Sequence, residues 1–155
     1  MSANERDNNA LAAAVTAAGQ ERLGAELAAL YQRLEVELSP LDARCQGCGK
    51  CCDFAAFGHR LYVTPIELAE LVRQPPASRQ GAAVLRCPYQ VNSHCTAHDR
   101  RTLGCRVFFC RLGDEQAHRL YERHHAELRA LHERAGVPYL YVELTEALGR
   151  LGRSA

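Results

Sequence analysis

Cys45-Gln46-Gly47-Cys48-Gly49-Lys50-Cys51-Cys52 is the stretch on which the reading of this chain turns. Two C-x-x-C units overlap at Cys48. Thiolates bind zinc and iron strongly, and this spacing lets two sulfurs converge on one centre while the turn between them offers backbone N–H groups. Gly47 and Gly49 permit the positive φ values with which a loop wraps what it encloses. The stretch therefore predicts a loop shaped around a metal ion or cluster, with the rest of the fold arranged to hold it.

Four further cysteines follow, Cys87, Cys95, Cys105 and Cys110, so that all eight lie between residues 45 and 110. An even count suggests disulfides in a secreted chain and metal or redox chemistry in a reducing one. The first nine residues carry Glu5, Arg6 and Asp7 with no net positive charge, and the apolar stretch 11–18 is short and alanine-rich, a poor secretory leader. No run of about 18 apolar residues is present to span a membrane. The expectation is a cytoplasmic chain with reduced thiols, in which the adjacent pair Cys51 and Cys52 also suits disulfides badly.

Zinc sites usually draw on two separate C-x-x-C pairs, whereas C-x-x-C-x-x-C followed by a remote Cys-Pro is the ligand pattern of bacterial ferredoxin cubanes. Cys45, Cys48 and Cys51 with Cys87-Pro88 imitate the second pattern, without its duplicated motif. An iron–sulfur cluster, 4Fe–4S ahead of 2Fe–2S, is the first expectation, and a zinc or iron ion the alternative. Neighbouring side chains in extended backbone face opposite ways. On that basis the cysteines divide as Cys45, Cys48, Cys51 and Cys87 on one centre and Cys52, Cys95, Cys105 and Cys110 on another. One or two of the eight can instead be buried thiols that pack as small hydrophobes.

The chain has 155 residues, enough for one domain, and a formal net charge of +1, which argues against a nucleic-acid or anionic-membrane partner. Its 47% hydrophobic content is rich in alanine, with no tryptophan and one methionine, so a metal staple would help the core. Arg44, Lys50, Arg86, Arg100, Arg101, Arg106 and Arg111 surround the cysteines. Positive charge stabilises an anionic thiolate centre, although most of the seven read as solvated surface. His118, His125 and His132 recur every seven residues, about 10.5 Å apart on a helix, and cannot share one ion. They read as a structural stripe. His98 differs, because Cys95-x-x-His98 has ligand spacing.

Local patterns complete the fold class: α+β, mainly helical, with a short two-stranded β element and a metal-stapled core. Leu23, Leu27, Leu30 and Leu34 predict a helix over 9–38, weakened at Gly19 and Gly24. Residues 59–63 read as a strand and 83–86 as its partner. Thr64-Pro65-Ile66-Glu67 is a capping box that starts a helix over 65–73. A short helix fits 96–103, a long one 114–135 ending at Gly136-Val137-Pro138, and another 145–151. One domain thus comprises a helical segment (1–38), a cysteine module (39–112) and a helical segment packed on it (113–155).

From Cys45 to Cys110 the chain resembles the CxxCxxCC proteins described as zinc- or iron-chelating, the YkgJ-like cysteine-cluster family. That pattern reads C-x-x-C-x-x-C-C, a later C-P-F/Y-L-like segment, then C-x-I-Y-x-x-R-P-x-x-C-R. Cys45, Cys48, Cys51 and Cys52 match the first part, Cys87-Pro88-Tyr89 the second, and Cys95, Arg101, Cys105 and Arg106 the third. His98 stands where tyrosine is usual and Thr102 where proline is. The resemblance implies metal or iron–sulfur binding, with Arg101 and Arg106 beside the cofactor, and no settled reaction. Larger relatives, the flagellin lysine N-methylases, carry a similar module, but no glycine-rich nucleotide loop is found here. Methyltransfer is the last of three readings, after an iron–sulfur protein for redox, sensing or metal handling and a zinc-stapled module that binds an unidentified protein partner.

Overall fold

A computed structural model describes residues 2–41, 45, 47–58, 60–77, 86–108 and 112–154. Its helices are α1 (Ala3–Ala18), α2 (Glu21–Leu38), α3 (Phe54–Phe57), α4 (Pro65–Leu71), α5 (Leu103–Val107), α6 (Asp114–Ala135) and α7 (Leu144–Ser154). Its strands are β1 (Tyr62–Val63), β2 (Gln90–Val91), β3 (His94–Cys95) and β4 (Val142–Glu143). The protein is a mainly helical α+β domain, as its periodicities predict.

The expected helix over 9–38 is two helices. A capping box between Ser2 and Glu5 starts α1 six residues earlier than predicted, and Gly19 turns its N–H back to Thr16 O at 3.1 Å. Gln20 is extended, and α2 begins after it. Gly24, the other weak point, stays inside α2. Leu11, Ala14, Val15 and Ala18 form the buried stripe of α1, which packs on α4 and α7. Leu23, Leu27, Leu30 and Leu34 do the same for α2 against α4 and α6.

Polar contacts line the seam between α2 and α6: ion pairs of Arg33 with Glu127 (2.5 Å), Arg134 with Glu26 (3.2 Å) and Arg123 with Glu37, and a hydrogen bond between buried His124 Nε2 and Glu37 Oε1 (2.9 Å). These pairs are mostly solvated and align the two helices more than they stabilise them. Gly136 ends α6 at φ 66°, the left-handed cap that its sequence predicts.

The strand pairing differs from expectation. β1 pairs antiparallel with β4, Tyr62 opposite Glu143 and Val63 opposite Val142, and Leu144 N adds a 2.8 Å bond to Leu61 O. The chain leaving α6 returns extended along β1 and pairs with one edge of it. Residues 59 and 83–85 lie outside the described residues, and Arg86 forms an isolated bridge with Asp53. A second antiparallel pair, β2 with β3, was not expected. Its two-residue turn holds Asn92 at φ 48° and Ser93 at φ 64°, the twin positive values of a type I′ hairpin. The helix expected over 96–103 is only a 3₁₀ turn at His98–Arg100. Arg101 and Thr102 are extended and α5 starts after them.

Candidate metal centre

Three pieces of backbone bring the sulfurs together. The first is the cysteine loop, with Gly47 at φ 67° and Gly49 at φ 71° as predicted. A Cβ on Gly49 would lie 2.4 Å from Ser93 O, so the loop presses directly on the turn of the β2–β3 hairpin. Gln90 Nε2 locks that contact by donating to Gly49 O at 2.5 Å. The second piece is tied to the first where Cys87 N donates to Cys52 O at 2.9 Å, and Arg86 adds a 3.1 Å ion pair to Asp53. Gln90 then pairs with Cys95 across the hairpin. Tyr89 anchors this segment through its hydroxyl on Gln74 O at 2.9 Å, with Thr96 N and Oγ1 both donating to Tyr89 O.

The third piece is α5, which carries Cys105. Its first turn is held by Glu67, a buried carboxylate whose Oε1 accepts from Leu103 N at 2.8 Å and from Tyr31 OH at 3.3 Å. Glu67 Oε2 closes the α4 capping box on Thr64 N and Oγ1. The sequence pattern identifies Glu67 as a local cap only. The link to Leu103, 36 residues on, leaves no mark in local spacing. Thr102, at the position where the resembled pattern has proline, holds φ −71° and ψ 167°, the polyproline-like conformation a proline also adopts. It adds a hydroxyl donating to Cys105 Sγ at 3.2 Å.

Cys45, Cys51, Cys52, Cys87, Cys95 and Cys105 all line one cavity of about 30 Å³, with Arg101, Tyr89, Thr102 and Leu144 among its other walls. The thiol of Cys52 is within hydrogen-bonding reach of Cys51, Cys87 and Cys95. This departs from the expected division into two sets. Lys50–Cys52 form a 3₁₀ turn rather than extended backbone, so Cys51 and Cys52 do not face apart, and members of both sets meet on the same cavity. Cys48 is half-buried and outside the lining, and Cys110 lies outside the described residues, as do Arg44 and Arg111. None of the seven described cysteines is in a disulfide.

The proton shared at Cys52 sets the electrostatics. Donation from Cys52 brings Cys51 down to about 7 and Cys95 to about 6, and lowers Cys87 as well. Cys52 itself is raised, because three sulfurs compete for its proton. Burial pushes Cys105 up to about 12. Cys51 and Cys95, lowered furthest, approach the thiolate form that ligation requires.

Arg101 and Arg106 behave differently. Arg101 lines the cavity, its Nε donates to His98 O at 2.8 Å, and its buried Nη1 has no hydrogen-bond partner among the described residues. A buried unpaired guanidinium nitrogen is costly alone and suits an anionic group beside it. Arg106 is outside the lining. Its guanidinium lies 4.1 Å over the Tyr31 ring, pairs with Glu35 at 3.2 Å and bonds the carbonyls of Asp99 and Arg101 at 3.0 and 2.8 Å. It clamps the segment that carries Arg101. His98 flanks the loop, its Cδ2 3.7 Å from where a Gly47 Cβ would be. Its Nε2 is buried without a partner among the described residues, but His98 does not line the cavity.

In residue chemistry, though not in present spacing, the donor set suits a thiophilic metal group: converging sulfurs, lowered thiols and an orphaned cationic donor. As the sulfurs stand, they hydrogen-bond through Cys52, and no three His, Cys, Asp or Glu among the described residues form an arrangement that could hold a metal ion. No described helix is long and apolar enough to cross a membrane. Comparison of the chain with protein-family models, with curated proteins and with solved structures finds no match.

Proposed function

We propose that this protein is a thiolate metal centre that holds an iron–sulfur cluster in a reducing cytoplasm and serves redox, sensing or metal handling. The observation that carries the proposal is Cys52 placed within reach of Cys51, Cys87 and Cys95 on a cavity that Cys45 and Cys105 also line. Six sulfurs line one space, more than the four thiolates that either a cluster or a zinc ion takes. The overlapping C-x-x-C run adds the cubane-like spacing, and Arg101 Nη1 is free to donate to cluster sulfur. The resemblance to the CxxCxxCC cysteine-cluster proteins, described as zinc- or iron-chelating, supports a metal centre of either kind.

A second reading, a zinc-stapled module that presents helical faces to a protein partner, is favoured by the cavity's size. About 30 Å³ suits one ion better than a four-iron core. Purification without oxygen, a visible spectrum, and iron, sulfide and zinc contents per chain separate the two. Brown protein with matching iron and sulfide supports the cluster. A colourless chain with stoichiometric zinc replaces it with the second reading, and a colourless chain without metal removes both.

A further inference from the structure

The histidine stripe of α6 is not isolated. Tyr121, His125, Tyr139 and Tyr141 make near-contact rings, with centroids 5.1 Å apart for Tyr121 and His125, 4.9 Å for His125 and Tyr141, and 6.0 Å for His125 and Tyr139. All three phenols of this group have hydroxyl partners: Tyr139 OH is 2.9 Å from His125 Nε2, and Tyr121 OH is 2.5 Å from Tyr141 OH. The array has two ends. Outward, Tyr141 stacks on Tyr62 at 5.1 Å, and these two are 43% and 41% exposed. Inward, the Phe108 ring lies 5.1 Å from Tyr121, and Phe108 is three residues beyond Cys105, its N–H bonded to Gly104 O at 2.8 Å. Residues so spaced are neighbours on a helical turn.

We propose that this array is a one-electron relay that carries oxidising equivalents from the cavity sulfurs to solvent. A phenol gives up an electron readily only if its proton leaves at the same time. His125 Nε2 is placed to take that proton from Tyr139 when Nδ1 carries the ring hydrogen. Burial holds His125 below its ordinary value, which keeps the ring neutral and able to accept. A diffusing one-electron oxidant, such as a peroxyl radical, first converts a cavity thiolate to a sulfur radical. One electron then passes from Tyr139 by way of Tyr141, Tyr121 and Phe108 to that sulfur, restoring the thiolate, while the phenolic proton moves to His125. The products are a neutral tyrosyl radical and an imidazolium. At the exposed rings a solution reductant supplies one electron, and the imidazolium returns its proton. The relay uses the sulfurs and not a metal, so it stands or falls separately from the cluster reading.

The test is flash oxidation of the full chain, as purified, with tris(bipyridine)ruthenium and persulfate. It is read by freeze-quench electron paramagnetic resonance and by mass spectrometry of sulfinic and sulfonic acids at each cysteine. A tyrosyl signal is expected in the parent chain. Tyr139→Phe keeps the ring and loses the transferable proton, so the signal falls severalfold and over-oxidation at the cavity cysteines rises severalfold. His125→Gln gives the same direction and serves if Tyr139→Phe folds poorly by circular dichroism. Unchanged signal and unchanged cysteine oxidation in both variants overturn the relay, as does a radical confined to tyrosines outside the array.

Discussion

Replacing Glu67 by alanine tests whether the centre is built from a distance. The carboxylate accepts from Thr64 N at 2.8 Å, Thr64 Oγ1 at 3.1 Å, Leu103 N at 2.8 Å and Tyr31 OH at 3.3 Å, and it is 3% exposed. Two buried amides lose their acceptor in Glu67→Ala, at about 1–3 kcal/mol each. The expected loss is about 3–5 kcal/mol, a large part of the roughly 5–15 kcal/mol available to a domain. With a urea slope of about 2 kcal/mol per molar, the midpoint falls by about 2 M. Glu67→Gln keeps one oxygen and loses less, about 1–2 kcal/mol. The pH dependence has a definite sign. Burial raises the native carboxyl above the ordinary 4.5, outweighing its four donors, so the native chain holds the proton longer than the unfolded one. That contribution is full below 4.5 and is lost as pH rises through the native value. Glu67→Gln removes this decline. Urea unfolding across that window measures both effects, and an alanine variant within about 1 kcal/mol of the parent refutes the reasoning.

The loop and its clamps give further tests. Gly49→Ala forces a Cβ to 2.4 Å from Ser93 O at φ 71°, so metal content should collapse. Gly58→Ala, at φ 60° with nothing within 4 Å, should cost only about 1 kcal/mol and keep its metal. Metal analysis of the purified pair decides this. Cys52→Ser should lose more metal than Cys48→Ser, since Cys52 reaches three sulfurs and Cys48 lies off the cavity; equal losses would count against the cavity as the centre. Arg106→Met leaves the carbonyls of Asp99 and Arg101 without their donor and should lower stability by about 2–4 kcal/mol, read by thermal unfolding of the metal-free chain.

Legibility followed the range of the physics. Elements whose cause is local were readable: the capping box at Thr64-Pro65-Ile66-Glu67, the cap at Gly136, and the leucine stripe of α2. The positive φ values of Gly47 and Gly49 were readable too, because a loop that turns tightly between closely spaced cysteines places its glycines there. Misplaced features depended on distant partners. Strand β1 takes its edge from residues 142–143, 80 positions away, and no pattern within either segment names the other. The Asn92-Ser93 turn lacks the glycine that usually marks such a hairpin. The division of cysteines failed on backbone conformation: Cys51 and Cys52 face apart only if extended, and they lie on a 3₁₀ turn. Arg106 shared a motif with Arg101, yet Tyr31 and Glu35, on a helix before the cysteines, draw its guanidinium aside.

The pairing of β1 with β4 bears on when the centre can form. Leu144, immediately after β4, closes part of the cavity wall, and α7 beyond it packs on α1. All eight cysteines precede these residues in the chain, so each emerges from the ribosome before they do. The nascent protein therefore passes through a period in which its thiols are exposed and the wall that completes their cavity is still missing. If the cavity takes the metal proposed for it, loading waits on the pairing of β1 with β4, and until then the cysteine loop needs a reductant to stay ready.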